Sequence, residues 1–310
     1  MRTSRTGIGY GLAAYAIWGL FPLYWPLLDP TPASQILAHR MVWSLVVVAI
    51  VLLIRRRWTF VSALLKDRRR AGLLVFAGIM ISINWGIYIW ATNAGHVVEA
   101  SLGYFITPLV VIALGVVVLK ERLRRIQWTA VGVGFIAVVV ISVGLGHVPW
   151  IALSLAASFG SYGLTKKLAQ TPPLESMAVE TSVMALPAIA FLVFVQIHGT
   201  GSFGHIAAGT DLLLMSSGIV TIVPLLCFAA ATSRVPLTVM GLMQYVTPIL
   251  QFAVGVAVRH EKVPASELAG FALVWFALTI LGFSELRQWH VSRAGAEEID
   301  APPTYEPVAP

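Results

Sequence analysis

The sequence predicts an all-α integral membrane protein of ten transmembrane helices, arranged as two inverted five-helix repeats. Three observations carry this: a composition too apolar for a soluble chain, apolar runs of membrane-spanning length, and a self-match at an offset of 140 residues.

Of the 310 residues, 58% are hydrophobic and 11% charged, where a soluble domain carries about 25% charged residues. The polar residues cluster between apolar runs of about 20 residues. A helix rising 1.5 Å per residue needs that length to cross roughly 30 Å of hydrocarbon. The net charge of +7 lies in short loops beside the apolar runs. It therefore reads as a determinant of membrane orientation, and no basic domain offers itself to nucleic acid. The single cysteine, Cys227, excludes an intrachain disulfide and reads as a small buried hydrophobe.

Apolar spans fall near residues 7–28, 35–54, 71–92, 101–119, 126–145, 150–166, 176–197, 212–232, 238–258 and 265–286. The first passes Ala14-Tyr15-Ala16 without stopping and is too long for a signal peptide, so it reads as an uncleaved helix. Lipid offers the backbone no hydrogen-bond partner, so each span is expected to be helical. Pro22, Pro108, Pro187, Pro224 and Pro248 lie inside spans and are candidate kinks, with Pro108 and Pro248 the candidate hinges. Lys and Arg number 18 in the termini and even-numbered loops, and two, Arg259 and Lys262, in the odd ones. This asymmetry predicts a multi-pass protein with both termini cytoplasmic. Trp25, Trp58, Trp128, Trp150 and Trp289 fall near span ends, where interfacial tryptophans belong. The Pro-rich stretch after about residue 290 reads as a disordered cytoplasmic tail.

The repeat is legible in register. Thr107-Pro108, Gly115 and Glu121 recur as Thr247-Pro248, Gly255 and Glu261. The same offset relates Gly78-Ile79 to Gly218-Ile219 and Ala91-Thr92 to Ala231-Thr232, while Trp18-Gly19-Leu20 resembles Tyr162-Gly163-Leu164. The predicted units are residues 1–145, 146–287 and a tail at 288–310. Five helices is an odd number, so the second unit must be inverted relative to the first. Inverted repeats characterise carriers that rock about a central site.

Polar groups inside spans are functional candidates, because hydrocarbon makes them costly. Arg40 lies in the second span, where Arg at mid-depth costs about 2.5–3.5 kcal/mol. It reads as cavity-facing, as one half of a structural ion pair, or as a snorkelling residue. Glu180, its repeat mate, reads as a hydrogen-bonded structural residue, as an interfacial one, or as a carboxyl that takes up and releases a proton at membrane depth, which makes it the candidate coupling site. Glu99 opens the fourth span, as a partner of the helix dipole or as a gate. Glu121 and Glu261 follow basic or polar neighbours and read as loop ion pairs. Asn84 and Tyr88 share a helix face. With Trp85, Trp18, Tyr104, Tyr162, Gln244 and Tyr245 they form an aromatic and amide set suited to an amphipathic ligand or to helix packing. Gly19, Gly103, Gly115, Gly241 and Gly255 fit close helix approach.

The run Glu99-Ala-Ser-Leu-Gly-Tyr104-Phe105-Ile-Thr-Pro108-Leu resembles the signature of the RarD subfamily of EamA-type transporters, in the drug/metabolite transporter superfamily. Supporting segments are Ala14 to Gly19, His39 to Ser44, Asn84-Trp85, Gly218 to Thr221 and Pro224 to Phe228. Thr107 stands where the pattern has Asn. The resemblance implies a ten-helix, two-repeat exporter of a small metabolite or amphipathic drug in a bacterial inner membrane. The expected partners are the lipid bilayer, a small-molecule substrate and protons. No cofactor, metal, nucleic acid or ATP is expected, since the chain carries no phosphate-binding glycine loop. The seven histidines form no His-Glu-x-x-His motif, and no paired catalytic groups suggest an enzyme. A non-transporting receptor or scaffold is the alternative.

Overall fold

The computed structural model of the chain describes residues 5–55, 64, 67–120, 125–232, 234, 243–266, 268–276 and 279. Trp58, Trp289, Glu121, Gly241 and the predicted tail lie outside the described residues. Every regular element among the described residues is helical. They are α1 (Arg5–Gly19), α2 (Phe21–Tyr24) with a 3-10 turn (Trp25–Leu28), α3 (Ala33–Arg55), α4 (Arg68–Asn93), α5 (Val97–Leu119), α6 (Arg125–Leu145), α7 (Trp150–Ala169), α8 (Pro173–Ile197), α9 (Ala208–Thr232) and α10 (Val246–Ala257). Residues 265–266 and 268–276 are helical again.

Five of these, α3, α4, α5, α8 and α9, are long and apolar enough to cross a membrane. They match the predicted spans with ends displaced by up to four residues. The protein is thus a multi-pass membrane protein. Its outer shell is apolar, with Val117, Phe135, Val143, Leu186 and Phe194 exposed, as contact with lipid chains requires.

The first predicted span is not one helix. α1 and the following short helices meet at a 42° bend. Pro22 has no N–H to give to the Trp18 carbonyl four residues back, and Pro26 does the same to the next turn. The freed Trp18 carbonyl accepts from Gln251 Nε2 at 3.3 Å, and the Tyr15 carbonyl accepts from Thr247 Oγ1 at 2.8 Å. The break is therefore satisfied by α10, as a bundle permits. Pro108, Pro187 and Pro224 lie inside continuous helices. Pro248 instead falls in the first turn of α10, where a missing N–H costs nothing.

The core joins the two halves of the chain. α7 packs against α4 and α5, and α1 packs against α9 and α10. α3 packs against α8 and α9, α4 against α8, and α5 against α10. Glycines permit the closest approaches. A Cβ on Gly218 of α9 would stand 2.5 Å from the backbone of Trp43 on α3. A Cβ on Gly78, its repeat mate, would meet Glu180 at an ordinary 3.4 Å. Gly218→Ala is expected to cost about 2 kcal/mol or more, and Gly78→Ala to stay within about 0.5 kcal/mol. Thermal unfolding of the two variants in detergent checks this, and equal losses would contradict the geometry. Gly103 and Gly255 also admit close neighbours, the backbone of Ala152 at 2.8 Å and the Val98 side chain at 2.9 Å.

Candidate functional site

Arg40 sits about two turns into α3 and is 2% exposed. It does not snorkel. Its guanidinium lies over three rings, 3.8 Å from the Trp85 centroid, 4.9 Å from Trp25 and 5.5 Å from Phe21. Arg40 Nε donates to Thr221 Oγ1 on α9 at 2.8 Å. Nη1 is buried and makes no hydrogen bond. Among the described residues, Arg40 has no carboxylate partner. Trp25, expected at a membrane interface, is fully buried and serves this box instead. The Pro22 bend folds α2 and its 3-10 turn inward, and this carries Phe21 and Trp25 onto the guanidinium. Trp128 and Trp150 are exposed, as interfacial rings should be.

From this box an aromatic ladder runs along the bundle. One turn along α4 from Trp85, Tyr88 meets Tyr104 of α5 edge-on at 5.6 Å. Tyr104 meets Phe159 of α7 at 6.0 Å, and Phe159 meets Tyr162 at 5.9 Å. Asn84 pins the ladder: its Oδ1 accepts from Tyr104 Oη at 3.1 Å. Its Nδ2 donates to the Leu155 carbonyl at 3.0 Å and to Ser158 Oγ at 3.1 Å. The predicted shared face of Asn84 and Tyr88 is buried, and both residues reach Tyr104.

The ladder ends on a second charged group. Tyr162 Oη donates to Glu180 Oε2 at 3.2 Å. Glu180 is buried, and its Oε1 accepts from Lys166 Nζ at 2.8 Å and from Ser176 Oγ at 2.5 Å. Lys166 Nζ also donates to Ser176 Oγ and lies 5.4 Å from the Tyr162 centroid. The carboxylate is thus ion-paired rather than isolated at membrane depth. Lys166 lies at the predicted end of the 150–166 span, but α7 runs on to Ala169 and carries it into the bundle. Arg40 and Glu180 do not pair.

Two further acids sit at helix starts. Glu261 accepts from the Val97 and Val98 amides, both at 2.8 Å, through its two oxygens. It closes the start of α5, where His96 provides no side-chain cap, and is not a loop ion pair. Glu99 accepts from the Ile151 amide at 3.2 Å and serves the start of α7. Free amides and the helix dipole favour a carboxylate at such sites. Glu261→Gln is expected to lower stability by about 1–2 kcal/mol, read as a fall in the melting temperature; an unchanged melt would contradict the cap.

The remaining candidates lie off the ladder. The Trp18 ring packs on Tyr15 and Phe228, at 5.6 and 5.8 Å, and also borders the aromatic cluster around Trp25. Tyr245 packs on the cluster of Val98, Leu102 and Phe271, separate from the aromatic cluster around Trp25. Gln244 lies in the turn entering α10. His39 stacks on Phe203 at 5.1 Å. Cys227 is half-buried rather than buried. Sequence reasoning missed Phe21, Phe159, Lys166, Ser176 and Thr221. Ser176 and Glu180 stand four residues apart on α8, a spacing that places them on one face.

The comparisons with known proteins agree with this architecture. Residues 5–143 match the model of the EamA-like transporter family. The chain is 52% identical to Protein RarD of Streptomyces exfoliatus, over 98% of each chain. It is 40% identical to the uncharacterized transporter YojE of Bacillus subtilis strain 168, over 94% of this chain and 98% of that one. A solved structure titled "Crystal structure of protein" superposes with a TM-score of 0.59 at 17% identity, covering 92% of this chain and 99% of that one; this likeness speaks to the fold alone. The chain belongs to the EamA-like transporter family, in its RarD branch, and is a membrane transporter.

Proposed function

We propose that the protein exports a small metabolite or amphipathic drug across a bacterial inner membrane by alternating access, without ATP hydrolysis. Ten helices in two inverted repeats, 1–145 and 146–287, form the carrier, with both termini cytoplasmic. The observation that carries this reading is the ladder from Arg40 to Glu180. Arg40 lies near the start of α3 and Glu180 near the start of α8. Consecutive helices reverse direction across short loops, so the two charges stand toward opposite ends of the bundle. Trp85, Tyr88, Tyr104, Phe159 and Tyr162 connect them. Aromatic walls with few polar groups suit an amphipathic solute.

The helix packing supports the inverted repeat. Exchanging α1 with α7, α3 with α8, α4 with α9 and α5 with α10 maps the contacts of one half onto those of the other. The family match, ending at residue 143, supports the boundary between the repeats. Such pseudo-symmetry lets the halves exchange conformations and so open to either side.

The test is flux in proteoliposomes with amino acids, sugars and amphipathic drugs, with and without a pH gradient. Saturable uptake of any of these is expected, and gradient dependence would establish proton coupling, with Glu180 as the candidate site. No flux from folded protein across the panel would favour a receptor or scaffold.

A further inference from the structure

We infer that the solute is a monoanionic organic carboxylate with a flat apolar body, and that Arg40 is its anchor. The inference rests on the transporter reading above and deepens it.

A buried guanidinium is costly unless paired. Here Thr221 takes Nε, three aromatic faces lie about the charge, and Nη1 is left with no hydrogen-bond partner. A carboxylate satisfies planar guanidinium N–H groups in a way that ring faces do not.

The surroundings narrow the class. The other cation on the ladder, Lys166, is already neutralised by Glu180. A phosphate dianion would meet, among the described residues, a single free positive charge there. An amino acid would bring an ammonium group to a site where Arg40 has no acidic neighbour among the described residues. The available charge therefore fits one negative charge and no positive one. The rings of Trp85, Trp25 and Phe21 complement a flat apolar body.

The experiment is titration calorimetry on the purified full-length protein in detergent. The probes are phenylacetate, indole-3-acetate and naphthylacetate, each with its matched amide, together with phenylalanine and phenyl phosphate. At least one carboxylate is expected to bind about 10- to 100-fold more tightly than its amide, and more tightly than the zwitterion or the dianion. Arg40→Gln should erase the carboxylate preference in protein that still elutes as one folded species. Arg40→Lys should keep the preference at weaker affinity, and it decides the matter where Arg40→Gln does not fold.

The inference is overturned if no carboxylate outranks its amide in the wild type, or if a folded Arg40→Gln protein keeps the preference. Flux of neutral solutes without carboxylate preference would sink this inference and leave the transporter reading standing. Carboxylate binding that never leads to flux would do the reverse.

Discussion

Replacing Arg40 by Met is expected to reduce solute flux by about 100-fold or more while leaving the protein folded. Met keeps most of the side-chain volume, so the box of Trp85, Trp25 and Phe21 stays filled. The variant loses one hydrogen bond, from Nε to Thr221, worth about 1 kcal/mol. It also removes a buried cation with no carboxylate partner. Exchanging buried charge for a well-packed apolar group is often neutral or stabilising. Stability and flux should therefore separate: an unchanged or raised melting temperature with transport near background. Wild-type flux from folded Arg40→Met protein would show that the guanidinium has no part in moving solute.

Glu180→Gln is expected to act on both properties. It leaves Lys166 beside an amide instead of a carboxylate, and Ser176 and Tyr162 lose a charged acceptor. Breaking one side of a fully buried pair costs about 3–5 kcal/mol. The Lys166 side chain is 24% exposed, so water offsets part of that and about 2–3 kcal/mol is expected. Adding Lys166→Met should restore at least half of the loss, because no unpaired charge then remains. Any dependence of flux on a pH gradient should vanish in the single and the double variant alike. Gradient-dependent flux in the folded double variant would assign proton coupling to another group.

The chain reveals its membrane class more readily than its site. Hydrocarbon imposes one requirement on every span, and apolar runs of about 20 residues meet it visibly, so the long helices α3, α4, α5, α8 and α9 were legible. Arg40 and Glu180 were legible for the same reason, since a charge in an apolar run stands out. Their surroundings were not. Phe21 and Trp25 reach Arg40 only because the first span bends at Pro22, a tertiary outcome that hydropathy does not encode. Lys166 stood out only as the charge that marks the apparent end of the 150–166 run, yet α7 continues past it. Glu261 caps a helix start 164 residues away, and such a contact has no local signature. Trp18, Gln244 and Tyr245 matched the repeat in sequence, but repeat symmetry places side chains in equivalent surroundings, not at one common point.

Thiol accessibility at the middle of the ladder tests alternating access most directly. Cys227 is the single cysteine, so Cys227→Ser gives a clean background for Phe159→Cys. A membrane-impermeant thiol reagent is then applied to right-side-out and to inside-out vesicles. A carrier that opens its ladder to each side in turn predicts labelling from both faces, slowed by solute. Labelling from one face only, or from neither, in protein that still folds would contradict it.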